Sequence, residues 1–218
     1  MFIDTLILSN EKWNNQDEIL LEYVAKERKE RLLRYRFDID RKLSLYSALI
    51  VQMRAMQQLK INNSEVNFIK KEDGKPMLDG YPEFYFNISH TRSAVMCGFS
   101  NKEIGVDVEK IMKAPFDIMR KCFTSDEVEI VDTKIEENEN FYKIWTRKEA
   151  YGKWNGKGIA QDLISLNTLQ PKDNIAFETW RDEDYIFSVC EAGESIEFIK
   201  RMLTEDIILE FFLQNKNL

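Results

Sequence analysis

In Ile104-Gly105-Val106-Asp107-Val108-Glu109 two carboxylates alternate with branched apolar residues. A period of two belongs to a strand. Asp107 and Glu109 therefore share one face, their Cα atoms roughly 6–7 Å apart, while Ile104, Val106 and Val108 face a core. Neighbouring carboxylates repel unless something cationic lies between them. Mg²⁺ commonly takes one or two protein carboxylates and fills its remaining positions with water and phosphate oxygens. Ordinary patterning of an exposed strand would give the same alternation. Further on, Trp145-Thr146-Arg147-Lys148-Glu149-Ala150-Tyr151-Gly152-Lys153 places Trp145, Glu149 and Lys153 on one helical face. Glu149 ahead of Lys153 is the favourable order for a surface ion pair. Trp145 on the same stripe marks the face as partly buried, and Gly152 inside a helix calls for close approach of a backbone or ligand.

Phe86-Asn87-Ile88-Ser89-His90 ends a strand and holds the only histidine of the chain. On a regular strand Ser89 and His90 point to opposite sides, so they do not form a nucleophile–base pair. Asp73-Gly74-Lys75-Pro76 reads as a turn, with Gly free to adopt positive φ and Pro holding Lys75 extended. The sequence contains no G-x-S-x-G, Walker or G-x-G-x-x-G motif, which argues against a hydrolase elbow and a P-loop or Rossmann site.

One His and three scattered Cys (Cys97, Cys122, Cys190) cannot supply a zinc site at the usual spacings, and an odd thiol count points to a reducing compartment, the cytoplasm. The 218 residues suffice for one large or two small domains. Neither a signal peptide nor a membrane span is expected. The net charge is −7, yet residues 26–42 carry +4, including Arg28 and Arg31. A local basic patch on an acidic protein suits a small anionic ligand better than nucleic acid.

Elements that would position these residues follow from periodicity. Residues 1–8 read as a strand, 20–35 as one helix or two short ones, and 43–59 as a strongly amphipathic helix. Strands are expected at 65–70, 83–89, 94–99 and 104–108, with Ser100-Asn101-Lys102 turning a hairpin between the last two. Helices at 118–131 and 140–154 and strands at 176–180, 185–191 and 195–200 repeat the order of helix, helix, antiparallel sheet. The expectation is an α+β protein built as a pseudo-twofold tandem of two similar subdomains, residues 1–105 and 106–218, with a ligand cleft between them.

Taken together, Gly74-Lys75-Pro76, Asn87-Ile88-Ser89-His90, Ile104 to Glu109, Phe123-Thr124-Ser125-Asp126-Glu127 and Trp145 to Glu149 with Lys153 resemble the signature of 4'-phosphopantetheinyl transferases, the surfactin-synthetase-activating type most closely. The resemblance is strongest from about residue 26 to 160. It implies transfer of 4'-phosphopantetheine from coenzyme A to a serine of an acyl or peptidyl carrier protein, with release of adenosine 3',5'-bisphosphate. Asp107, Glu109 and Glu149 would hold Mg²⁺, or Mn²⁺, on the coenzyme A pyrophosphate. Gly74, Lys75 and Pro76 would border the adenine, Ser89 and His90 would line the nucleotide pocket, and Arg28, Arg31 and Ser44 would meet the 3'-phosphate. Lys153 would meet the pyrophosphate, and Glu149 is also the family's proposed base. Arg28 and Arg31 stand where lysines are common, and Leu43 stands where a basic residue often precedes the hydroxyl residue.

A monomer is expected, because the repeat already supplies the two-half cleft, and the resemblance implies a carrier of fatty-acid, polyketide or nonribosomal-peptide synthesis. Segment 110–122, with Lys110, Ile111, Met112, Lys113, Phe116, Met119, Arg120 and Lys121, offers a surface for an acidic helical carrier. The alternatives are a non-catalytic module binding coenzyme A or a carrier protein, and a Mg²⁺-dependent pyrophosphohydrolase that needs no carrier.

Overall fold

The structure is a computed structural model that describes residues 1–71, 74–133, 135–156, 163–171 and 174–216. Asp73 lies outside the described residues. β1 (Phe2–Ile7) is followed by α1 (Asn15–Leu20), α2 (Lys26–Leu32), the long α3 (Asp38–Leu59), a short hairpin of β2 (Phe68–Lys70) and β3 (Pro76–Leu78), then β4 (Tyr85–Thr91) and β5 (Ala94–Ser100). β6 (Ile104–Lys110) opens the second half, followed by α4 (Phe116–Cys122), α5 (Ser125–Val131), the long α6 (Glu137–Trp154), β7 (Ile175–Asp182) and β8 (Tyr185–Ala192). β9 (Ile199–Leu203) and α7 (Glu205–Gln214) complete the described chain.

The expected α+β tandem is present. Among the described residues one sheet has the order β4-β5-β1-β9 and another the order β6-β8-β7. β1 pairs antiparallel with β5, and β5 with β4; β6 pairs antiparallel with β8, and β8 with β7. Each half therefore follows the same path of first strand, helices, then a hairpin whose second strand pairs with the first. Each also lays one long helix over its sheet, α3 on β4 and β5, α6 on β6 and β8.

Four expectations need correction. Ser100-Asn101-Lys102 does not turn a hairpin, because β5 stays in the first sheet while β6 leads the second. Gly98 on β5 allows the two strands to stack closely. A Cβ there would come within 2.6 Å of Val106 Cγ1 and 2.8 Å of Ile104 Cδ1, so β6 stands with its side chains on the β5 backbone instead of pairing beside it. The helix expected at 118–131 is two helices. Phe123 is extended, and Thr124 caps α5 in a reciprocal capping box with Glu127.

The helix expected to be amphipathic, α3, is buried on every side from Lys42 to Met56. Lys42 thus belongs to the core and not to a basic surface: its ammonium lies 2.8 Å from Glu205 and 3.5 Å from Asp17. The strand expected at 195–200 forms at 199–203 and joins the first sheet, pairing parallel with β1. There Arg201 of β9 and Arg54 of α3 clasp the fully buried Asp4, Arg54 at 2.5 Å and Arg201 at 3.1 Å.

Candidate active site

Gly105 sets the geometry of the centre. A Cβ at this position would lie 1.9 Å from the carbonyl oxygen of Ala150 and 2.6 Å from the amide of Trp154, so only glycine lets α6 rest directly on β6. That contact brings the C-terminal turns of α6 over the face of β6 that carries Asp107 and Glu109. Gly152 is also buried in α6.

Asp107 is buried, and its Oδ1 accepts two hydrogen bonds, from Lys153 Nζ at 2.7 Å and Ser89 Oγ at 2.8 Å. Its Oδ2 is buried and has no hydrogen-bond partner among the described residues. Burial raises the Asp107 pKa against the opposing pull of Lys153 and Ser89. Glu109 Oε2 accepts from Thr91 Oγ1 at 2.9 Å; burial and then Asp107 raise its pKa. Glu149 is pushed up to about 7, first by burial and then by the charge of Asp107, with Lys153 opposing and Glu109 adding to the rise. Three carboxylates thus sense one another around a single ammonium.

The expected shared face of Asp107 and Glu109 is present, as is that of Glu149 and Lys153. Trp145, on the same stripe, is half-buried and stacks on Phe141 with ring centroids 6.1 Å apart.

Neighbouring charged residues serve the scaffold. Lys148 and Glu127 are fully buried and paired at 2.8 Å. Lys148 also donates to the carbonyls of Leu163 and Leu166 at 2.6 Å each, and Glu127 accepts from Thr168 N and Oγ1 at 2.8 Å each. This network explains the acid at the end of Phe123 to Glu127 and the lysine before Glu149. It anchors α5 and the chain at 163–168 to the inner face of α6.

A second cluster forms on the first half. Arg28, Arg31, Lys70, Gly74 and Pro76 line a cavity of about 670 Å³ with an apolar wall that includes Val66 and Phe68. Burial, and then the charge of Arg31, lowers the Arg28 pKa to about 10. Arg28 Nη1 donates to the carbonyl of Ser44 at 3.2 Å, so Ser44 enters this cluster through its backbone. Lys75 reaches instead toward the second half, donating to the carbonyl of Trp154 at 3.0 Å, with Glu103 Oε2 at 3.4 Å. Gly74 adopts a φ of +84°, as the turn requires.

His90 is exposed at its edge; the surrounding protein and then Lys153 lower its pKa, while Asp40 opposes. The structure therefore unites Asp107, Glu149, Lys153, Ser89 and Glu109 at one centre with His90 beside it, and Arg28, Arg31, Gly74 and Pro76 at another. Lys75, through the Trp154 carbonyl, links the loop of the second centre to α6.

Sequence reasoning did not single out Thr91 and Lys70. The run Asn87, Ser89, Thr91 repeats every second residue on β4, and that period was the available sign of a polar face turned toward β6.

Buried carboxylates and a lysine thus meet where the two α+β halves join, and an arginine-lined cavity lies on the first half. The chain belongs to the 4'-phosphopantetheinyl transferase superfamily, whose pattern residues 103–206 match, and it is thereby a transferase; residues 11–100 match the description "4'-phosphopantetheinyl transferase, N-terminal". It is 28% identical over 160 residues to the 4'-phosphopantetheinyl transferase Sfp of Bacillus subtilis strain 168, covering 72% of this chain and 71% of that protein. It is 30% identical to the 4'-phosphopantetheinyl transferase ffp of Bacillus subtilis, over 71% of this chain and 70% of the relative. The 4'-phosphopantetheinyl transferase gsp of Aneurinibacillus migulanus is 34% identical over 67% of this chain and 60% of its own length.

Carboxylate oxygens are the donors that a hard divalent ion such as Mg²⁺ takes. Among the described residues Oδ2 of Asp107 is a buried carboxylate oxygen without a hydrogen-bond donor, and Glu109 and Glu149 both carry raised pKa values beside it. Among the described residues no group of three His, Cys, Asp or Glu is already gathered around one metal position. No helix of the described residues is long and apolar enough to cross a membrane.

Proposed function

We propose that this protein transfers the 4'-phosphopantetheine arm of coenzyme A to a serine of an acyl or peptidyl carrier protein, releasing adenosine 3',5'-bisphosphate. The observation that carries the reading is the meeting of Asp107, Glu149 and Lys153 at the α6–β6 contact, with the Arg28–Arg31 cavity on the other half. Phosphoryl transfer depends mainly on positioning and charge neutralisation, which is what these two centres offer.

Arg28 and Arg31 hold the 3'-phosphate against the carbonyl side of Ser44, and their planar guanidinium groups suit bidentate contact with phosphate. Gly74 and Pro76 border the adenine. Lys75 closes the loop toward α6, and Ser89 and His90 line the nucleotide side. Asp107, Glu109 and Glu149 hold Mg²⁺ or Mn²⁺. A divalent ion bound there neutralises charge on the pyrophosphate oxygens.

The serine oxygen attacks the pantetheine-bearing phosphorus, and the bond from that phosphorus to the oxygen bridging to the nucleotide breaks. Lys153, on the same helical face as Glu149, is the second cation for the charge that develops on the departing oxygen. The serine proton would pass to Glu149, directly or through a water.

The carrier docks beside β6, on the segment that follows it. Met112 and Ile118 are 45% and 38% exposed there, among the exposed cations Lys113, Arg120 and Lys121. Met119 is buried and Phe116 packs against the same core, so those two of the expected docking residues support the surface without forming it. We further infer a monomer working in the cytoplasm, consistent with three unpaired thiols.

The test is mass spectrometry of apo acyl and peptidyl carrier proteins incubated with the protein, coenzyme A and Mg²⁺. The expected result is a phosphopantetheine adduct on the carrier serine. Absence of the adduct from every carrier in a panel overturns the reading, and full activity in Asp107→Ala overturns the metal assignment.

A further inference from the structure

β4 and β6 belong to different sheets, yet side chains join them at regular intervals. Asn87 Oδ1 accepts from the amide of Val106 at 3.1 Å, Ser89 Oγ donates to Asp107 at 2.8 Å, and Thr91 Oγ1 donates to Glu109 at 2.9 Å. The two hydroxyl contacts share one sequence offset of 18 residues, so the strands run side by side in the same direction with matched periods. β4 is itself held in register by β5, with Ser89 opposite Met96 and Thr91 opposite Ala94. The hydroxyls therefore project from a fixed strand onto the carboxylates of β6.

Asp107 and Glu109 on one strand face repel each other when both are ionised. Asp107 is held twice, by Lys153 and Ser89. For Glu109, on a longer and more flexible side chain, the hydrogen bond from Thr91 is the one side-chain tether among the described residues.

We infer that Thr91 is a positioning residue: its hydroxyl fixes the Glu109 carboxylate beside Asp107 so that the two present a preset pair to a divalent cation. The inference rests on reading Asp107, Glu109 and Glu149 as the cation-holding set. Groups that orient metal-binding side chains commonly contribute about ten- to a hundredfold in metal affinity, because without them the ligands must be ordered at the moment of binding.

Thr91→Val keeps the shape of the side chain and removes the donor, while Thr91→Ser keeps the donor and removes the methyl. Mg²⁺ binding to the complex with coenzyme A is measured by titration calorimetry, alongside the Mg²⁺ concentration that gives half-maximal transfer. Thermal melting without metal reports on folding, and Asp107→Ala serves as the reference variant. The expected result is about tenfold weaker Mg²⁺ binding in Thr91→Val, a matching rise in the half-maximal concentration, and recovery in Thr91→Ser. Wild-type Mg²⁺ affinity in folded Thr91→Val, with Asp107→Ala unable to bind, overturns the role of Thr91 alone. Equal weakening in Thr91→Ser and Thr91→Val also overturns it, since the methyl and not the hydroxyl would then matter. Wild-type Mg²⁺ affinity in Asp107→Ala overturns the carboxylate reading itself, and the role of Thr91 with it.

Discussion

Lys153 Nζ on α6 lies 2.7 Å from Asp107 Oδ1 on β6, an ion pair that spans the helix–sheet contact at the centre of the site. The two partners differ in burial: Asp107 is almost wholly enclosed, and Lys153 keeps 29% of its side-chain surface. Lys153→Ala leaves a buried carboxylate without its nearest cation and is expected to lower stability by about 1–2 kcal/mol, the remaining exposure moderating the loss. Asp107→Asn removes the buried charge and is expected to melt at or above the wild-type temperature. Both variants are expected to lose transfer by about a hundredfold or more. Melting curves and carrier-modification rates measured together check the contrast.

Gly105→Ala places a methyl against the backbone of α6, where neither the Ala150 carbonyl nor the Trp154 amide can move independently of the helix. Helix displacement is expected to reduce stability by about 3 kcal/mol and to carry Glu149 and Lys153 away from Asp107. Urea unfolding gives the first quantity, and the transfer rate of the fraction still folded gives the second.

Glu127→Ala separates scaffold from chemistry. It strands Lys148, fully buried, and removes acceptors from Thr168. The expected loss is about 3–5 kcal/mol of stability. Mg²⁺ affinity of the folded protein, measured by calorimetry at low temperature, is expected to match wild type.

The single imidazole gives a clean pH readout. The protein around the exposed His90, and then Lys153, lower its pKa from 6.5, so its NMR titration midpoint is expected below 6.5 and should move upward in Lys153→Ala. Because the folded value is the lower one, the unfolded chain binds more protons in this range. The contribution of His90 to stability is therefore complete above pH 6.5 and declines as pH falls through 6.5 toward the folded value. An unchanged midpoint in Lys153→Ala would show that the two side chains are not electrostatic neighbours.

Removing the chain from residue 199 onward takes away β9, the Arg201 clasp on Asp4 and the Glu205 partner of Lys42. Two charges at the heart of the first half lose partners while β1 loses a neighbouring strand. The truncated chain is expected to show no cooperative melting transition by circular dichroism.

Much of the site was legible because its signals are local. The alternation at 104–109 fixed which face of β6 carries the acids, and the four-residue spacing fixed which face of α6 meets them. What escaped depends on distant partners. Lys42 reads as part of a basic surface, and Lys148 as one more residue of the Trp145–Lys153 motif, until Asp17, Glu205 and Glu127 arrive from elsewhere in the chain. Gly105 looked like one more position in an alternating strand, since nothing in its neighbours shows that α6 will rest on it. The 100–102 turn looked like a hairpin because strand periodicity carries no information on which sheet a strand joins. Thr91 lay one residue beyond Asn87-Ile88-Ser89-His90, and its partner Glu109 is set by a contact between sheets.

The parallel pairing of β9 with β1 also dictates an order of assembly. On a ribosome the residues of β1 emerge well before those of β9, so the sheet that contains β4 stays incomplete until Ile199–Leu203 has left the tunnel. Domains commonly fold one after another as they emerge. Here the sheet that carries Ser89 closes only after β9 has emerged, so its folding draws on both halves of the chain.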